Sequence, residues 1–196
     1  MLERDIKDIL STSGTLKEEQ FTPDLKQKIK DMVKESIFCS LYRHTHFLNH
    51  CTEDVFKVKK GVFVTLYKDG HVRGCYGSIR PHYYLASGVS IMAKGAGESF
   101  PWIGFVNEEE LKNLEVEVSI VDKVRKIESY EELEPDVDGL HVETVIKQHD
   151  FLPRMWKRYW DKKYFFSNNM IKAKLEAKDL DEKEFIALAF TTIKIK

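Results

Sequence analysis

The sequence predicts an α+β fold: a mostly antiparallel sheet flanked by helices, with a smaller second lobe and a cleft between the lobes. Three stretches carry that prediction. From Gly61 to Pro81, two runs rich in β-branched and aromatic residues flank Asp69-Gly70, the pattern of a β-hairpin on a two-residue turn. From Leu114 to Val121 the chain alternates strictly, with Val116, Val118 and Ile120 on one face and Glu115, Glu117 and Ser119 on the other. After Thr22-Pro23, an N-cap followed by proline at the first helical position, Leu25, Ile29, Met32, Val33, Ile37 and Leu41 keep to one helical face.

The other elements follow in order. Residues 2–10 read as a short helix with Leu2, Ile6, Ile9 and Leu10 inward, broken at Ser11 to Gly14. In the hairpin, a loop at Asp69-Gly70 sets Lys68 against His71, Leu66 against Arg73, Val64 against Cys75 and Val62 against Gly77. Arg73, Cys75 and Gly77 then share a face with Val62, Val64 and Leu66, while Gly74 and Tyr76 share the face of Phe63 and Thr65. Two glycines in one strand cost stability, so a close approach to the backbone is expected there. Leu85, Val89, Met92, Ala93 and Ala96 have helical spacing despite Gly88 and Gly95. Residues 95–102 read as an ordered loop with aromatic anchors.

Asn107 with Glu110 forms a capping-box pattern opening a short helix over 108–113. Tyr130 to Leu133 is a helical turn in an acidic stretch, and Asp138 to Glu143 a turn and short strand. A helix is expected over Met170–Ala177, a charged turn over Asp179–Lys183, and a closing strand through Ile193 and Ile195. The larger lobe is expected over about 20–125 plus 176–196 and the smaller over about 126–175, behind an N-terminal extension, 1–19, all in one domain.

Composition narrows the function classes. With 31 basic and 32 acidic residues, no whole-molecule field draws the chain to a polyanion. No apolar run approaches the roughly 18 residues of a membrane span, and the charged N-terminus lacks the apolar core of a secretory signal. Cys39, Cys51 and Cys75 are odd in number and irregularly placed, which argues for free thiols in a reducing, cytoplasmic setting. His44, His46, His50 and Cys51 invite a metal reading, yet their spacing matches no common zinc pattern, and a polar loop or helix end is favoured. No metal and no cofactor is assigned.

The residues Gly61-Val-Phe-Val-Thr65, Arg73-Gly-Cys-Tyr-Gly77, Phe100-Pro101, Glu117-Val-Ser-Ile120, Asp138-Gly-Leu140 and Leu152-Pro153 resemble, in order and spacing from about residue 20 to the C-terminus, the AMMECR domain family. Tyr76 stands where that family usually has isoleucine, Trp102 where a second proline is common, and Arg154 where glutamine is usual. The resemblance implies an α+β fold of larger and smaller lobes around a cleft. It brings no settled activity. Prokaryotic members are often encoded beside, or fused to, Memo-type and radical SAM proteins, which implies such proteins as partners in a shared pathway.

Three functions are open at this point. The first is a cleft beside the hairpin that binds a small anionic ligand or a partner protein. Arg73 with Arg80 or His82 would contact an anion, Gly74 and Gly77 would let it approach the backbone beside Tyr76, and Glu117 would orient it. The competing reading makes Arg73 a strand-edge charge paired to a carboxylate. The second is a cysteine-dependent enzyme, with Cys75 as the nucleophile activated by His71, Arg73 or His82; a position opposite Val64 argues instead for an inert core thiol. The third is nucleic-acid binding through 154–166, where basic residues interleave with aromatics. A helix with a buried aromatic stripe and a wet basic edge explains that segment as well, and the balanced net charge favours it.

Overall fold

The computed structural model describes residues 2–11, 16–43, 51–100, 104–144, 147–173 and 185–196. The helices are α1 (Leu2–Ser11), α2 (Pro23–Tyr42), α3 (Leu85–Glu98), α4 (Glu108–Asn113) and α5 (Lys162–Lys172). The strands are β1 (Val62–Lys68), β2 (His71–Ser78), β3 (Glu115–Lys126), β4 (Gly139–Glu143), β5 (Gln148–Phe151) and β6 (Ile186–Ile195). The strands form one sheet in the order β2-β1-β3-β6-β4-β5, antiparallel as expected. The chain divides into two compact units, Gly14–Val121 with Ile193–Lys196 and Met1–Ser13 with Asp122–Thr192. Strands β3 and β6 each contribute residues to both.

In the unit built on 14–121, α2 begins as the sequence dictates: Leu25 N donates to Thr22 Oγ1 at 3.3 Å, with Pro23 inside the first turn. Such a cap is worth about 1 kcal/mol. Its apolar face, Ile29, Met32, Val33 and Ile37, joins Leu85, Val89, Ala93 and Ala96 of α3 and Val62, Val64 and Leu66 of β1 in one core. Val116, Val118 and Ile120 of β3 complete it. The hairpin turns at Asp69 and Gly70, both at positive φ (50° and 74°), as the two-residue turn requires.

In the other unit, Leu140, Val142, Phe151, Ala187 and Ala189 from three strands pack with Trp156, Tyr159, Phe165 and Met170. Trp156 lies flat on Phe165, with ring centroids 3.9 Å apart, and its Nε1 donates to the Asp138 carbonyl at 2.7 Å. The Asp138 carboxylate, itself buried, accepts from both terminal nitrogens of Arg125 and from Glu134 N. The aspartate of the Asp138-Gly-Leu140 motif therefore ties the start of β4 to the aromatic core. In α1, Ile9 is buried as expected, but Leu10 is exposed. Strand β5, too polar at Gln148-His-Asp to read as a strand, gains its place by pairing with β4. The loop expected over 95–102 is helical through Glu98, the last residue of α3, because the small residues Gly95, Ala96 and Gly97 let the helix pack closely on β2 and α2. Residues 44–50, 101–103 and 174–184, with most of the histidine cluster and the charged turn, lie outside the described residues.

Candidate functional site

The hairpin register differs from the expected one, and the difference makes the site. Lys68 pairs with His71 and Tyr67 with Val72, but Leu66 pairs with Gly74, so Arg73 is an extra residue in β2. Such a bulge turns every residue beyond it to the opposite face. Cys75 therefore lies opposite Thr65, not Val64, and the expected core-thiol placement among the valines is wrong. Gly77 lies opposite Phe63. On its other side β1 pairs Thr65 with Glu117 and Phe63 with Ser119. Cys75, Thr65 and Glu117 thus form one cross-strand row, with Gly77, Phe63 and Ser119 as the next row on the same face.

The row is polar and largely withdrawn from water, with Cys75 its most accessible member. Thr65, Ser119 and Glu117 are buried, with Thr65 fully so, and Cys75 is half-buried. Thr65 Oγ1 donates to Cys75 Sγ at 3.5 Å, and Cys75 N donates to Ser99 Oγ at 3.0 Å. Tyr67 Oη donates to Glu117 Oε1 at 3.4 Å, and Lys196 Nζ lies 3.2 Å from Glu117 Oε2. A carboxylate withdrawn from water is costly unless partnered, and the tyrosine and lysine are those partners. Chemically, the row sets a thiol, a hydroxyl and a carboxylate side by side.

The other expected site residues fall elsewhere. Arg73 is buried and forked on Glu110: Nε donates to Oε1 at 2.7 Å and Nη2 to Oε2 at 3.2 Å, with a third bond from Nη2 to the Gly104 carbonyl at 3.0 Å. Glu110 also closes the α4 capping box with Asn107 and lies 3.3 Å from Lys68 Nζ. Burial pushes the Glu110 carboxyl up, but Arg73 and Lys68 outweigh it and hold the group below the usual carboxylate range. That is the carboxylate-paired geometry weighed against anion binding for Arg73. Gly74 and Tyr76 face α3: a Cβ on Gly74 would run into the Ala96 carbonyl, and the Tyr76 ring lies against Gly95. The close approach expected at Gly74 is thus made by a helix backbone. Arg80 and His82 lie past the end of β2; Arg80 N donates to Ser78 Oγ at 3.1 Å, and the His82 ring stands edge-on to Tyr83.

Sequence reasoning missed Thr65, Tyr67, Ser99, Glu110 and Lys196. The available signal was Thr65 itself, one hydroxyl within an otherwise apolar run. Grooves of about 350 and 540 Å³ beside α2 are lined by Asp31, Lys34 and Phe38 and by Asp24, Lys28 and Met32, with no residue of the row. Among the described residues, no three His, Cys, Asp or Glu side chains group to hold a metal ion. Cys51, the described end of the histidine cluster, has its Sγ 3.8 Å from Met32 Sδ.

A second buried polar cluster lies in the 122–192 unit. His141, 1% exposed, holds Asp150 on Nδ1 at 2.7 Å and Glu143 on Nε2 at 3.2 Å. Burial pushes the imidazole pKa down, but the two carboxylates prevail and raise it to about 9, so at neutral pH the ring is a cation. Next to it on β5, His149 Nδ1 meets Asn169 Oδ1 at 3.0 Å, and burial holds His149 below the ordinary value.

Fold and site together define an α+β domain whose sheet carries a buried polar row beside a bulged hairpin. The chain belongs to the AMMECR1 family, whose model matches residues 13–195. It is similar to a protein of Methanothermobacter thermautotrophicus, 36% identical over 129 residues, covering 62% of this chain and 67% of that one. A Methanosarcina barkeri protein is 35% identical over 127 residues, covering 62% and 63%; the match thus spans about two thirds of these relatives. The uncharacterized protein PH0010 from Pyrococcus horikoshii has the same fold, with a TM-score of 0.78 at 25% identity over 88% of this chain and 91% of that one.

Proposed function

We propose that this protein is a ligand-binding component that holds a small polar molecule against the Cys75–Thr65–Glu117 row. One observation carries the reading. The bulge at Arg73 turns Cys75 of the Arg-Gly-Cys-x-Gly segment to the face of Thr65, so that β2, β1 and β3, in that order, present thiol, hydroxyl and the Glu117 carboxylate in one row. A buried sheet face is ordinarily apolar, and polar groups there cost stability unless they serve a ligand or each other. Family membership and the free cysteines support a cytoplasmic protein serving a multi-protein pathway with Memo-type and radical SAM proteins as partners. No helix among the described residues is long and apolar enough to cross a membrane.

A second reading keeps Cys75 as a nucleophile, because the thiol stands beside the Thr65 hydroxyl rather than among valines. Native mass spectrometry of gently purified protein tests the main reading. The wild type is expected to retain a small-molecule adduct that Glu117→Gln and Thr65→Val lose while remaining folded. An adduct retained equally by both variants, or no binding from a small-molecule extract, counts against it.

A further inference from the structure

The segment 153–172 contains the aromatic stripe expected of a core element, with Trp156, Tyr159 and Phe165 buried. It also contains two aromatics that no core explains. Trp160 is 80% exposed and Tyr164 48%, with ring centroids 5.8 Å apart and planes tilted by 38°. The pair is not loosely held. Tyr164 stands edge-on to Tyr159 at 5.7 Å, and Tyr159 is stacked on Phe151 at 5.0 Å, so the exposed rings are braced by the packed core.

Flanking them in the sequence are Lys157, Arg158 and Lys163, all exposed, with the Arg158 guanidinium 5.7 Å from the Tyr159 ring centre. Lys162 is half-buried and donates to the Glu131 carbonyl at 2.7 Å. The one carboxylate in the run, Asp161, is spent on the helix N-cap, accepting from Tyr164 N at 2.9 Å. Residues 157–164 contain no aliphatic side chain. A protein-docking patch draws on aliphatic as well as aromatic area, whereas bare rings amid cations suit bases and phosphates.

We infer that the Trp160–Tyr164 pair is a stacking platform for single-stranded nucleic acid, with Lys157, Arg158 and Lys163 taking its phosphates. The balanced net charge, which spoke against this reading in the sequence, removes only a whole-molecule attraction; what carries the reading now is the local arrangement of exposed rings and cations. The site is small, about two stacked bases, so binding is weak and strongly salt-dependent. Three phosphate contacts give a logarithmic salt slope of about −2, or roughly 80-fold weaker binding between about 25 and 200 mM salt.

Fluorescence anisotropy of labelled oligouridylate and oligothymidylate, about twelve nucleotides each, tests this on the full chain. Single strands are expected to bind at low salt, more tightly than a duplex of the same length. Their ratio tells whether RNA or DNA is preferred. Trp160→Ala, at a solvent-facing position that leaves the core intact, is expected to weaken binding about tenfold. Lys157→Glu with Lys163→Glu is expected to flatten the salt slope. Binding unaffected by Trp160→Ala, absence of binding at low salt, equal affinity for duplex, or displacement by polyglutamate as readily as by oligonucleotide each overturns the inference; the last points to an acidic protein segment instead.

Discussion

Raising the pH from 6.5 to 9.5 should destabilise this protein chiefly through one residue, His141. Its imidazole sits 1% exposed between Asp150 and Glu143, and its pKa is raised to about 9 from an ordinary 6.5. The folded state thus holds the proton more tightly than the unfolded chain. The resulting stabilisation is complete below about pH 6.5 and is lost as pH rises through about 9. The shift corresponds to about 3 kcal/mol. His149, held below its ordinary value by burial, acts in the opposite sense, and its effect is nearly complete at the lower edge of this window. Urea unfolding at the two pH values measures the difference. Asp150→Asn removes the strongest of the favourable contacts, so it should lower stability at pH 6.5 by about 3 kcal/mol and leave less than half of the pH dependence. Equal wild-type stability at both values, or an unchanged dependence in Asp150→Asn, would refute the clamped-cation account.

Two further outcomes separate the roles of neighbouring residues. Gly74→Ala should cost about 2 kcal/mol or more in thermal or urea unfolding, because its Cβ would meet the Ala96 carbonyl of a packed helix. Gly70→Ala, with open space but φ +74°, should cost only about 1 kcal/mol. Glu110→Gln leaves the buried Arg73 without its carboxylate and should cost about 3 kcal/mol. It should also remove stability that the wild type has at neutral pH and loses in acid, as pH falls through the lowered Glu110 pKa.

Local chemistry made much of the fold legible. Thr22-Pro23, Asp69-Gly70 and the Asn107–Glu110 box each act within a few residues, and each appears as read. The alternation of Val116, Val118 and Ile120 marked the apolar face of β3 directly, but not that the opposite face, with Glu117 and Ser119, is buried as well. The site was less legible, because it depends on register. A single extra residue at Arg73 exchanged the faces of Cys75 and Tyr76, and the turn that fixes a hairpin's register says nothing about a bulge five residues beyond Lys68. Likewise β5 has no strand pattern of its own; its Asp150 finds His141 only through the β4 pairing. Lys196 lies 79 positions from Glu117 and meets it through tertiary structure alone.

The central claim, a ligand held against Cys75, Thr65 and Glu117, is tested most directly by the alkylation rate of Cys75. Native protein would be treated with iodoacetamide, with and without the small-molecule fraction of a cell extract, and the Cys75 peptide followed by mass spectrometry, with Cys51 as the internal reference. The account predicts that some fraction slows modification of Cys75 at least about tenfold while leaving Cys51 unchanged, and that Glu117→Gln abolishes the protection. Modification of Cys75 at the same rate in every fraction would contradict it.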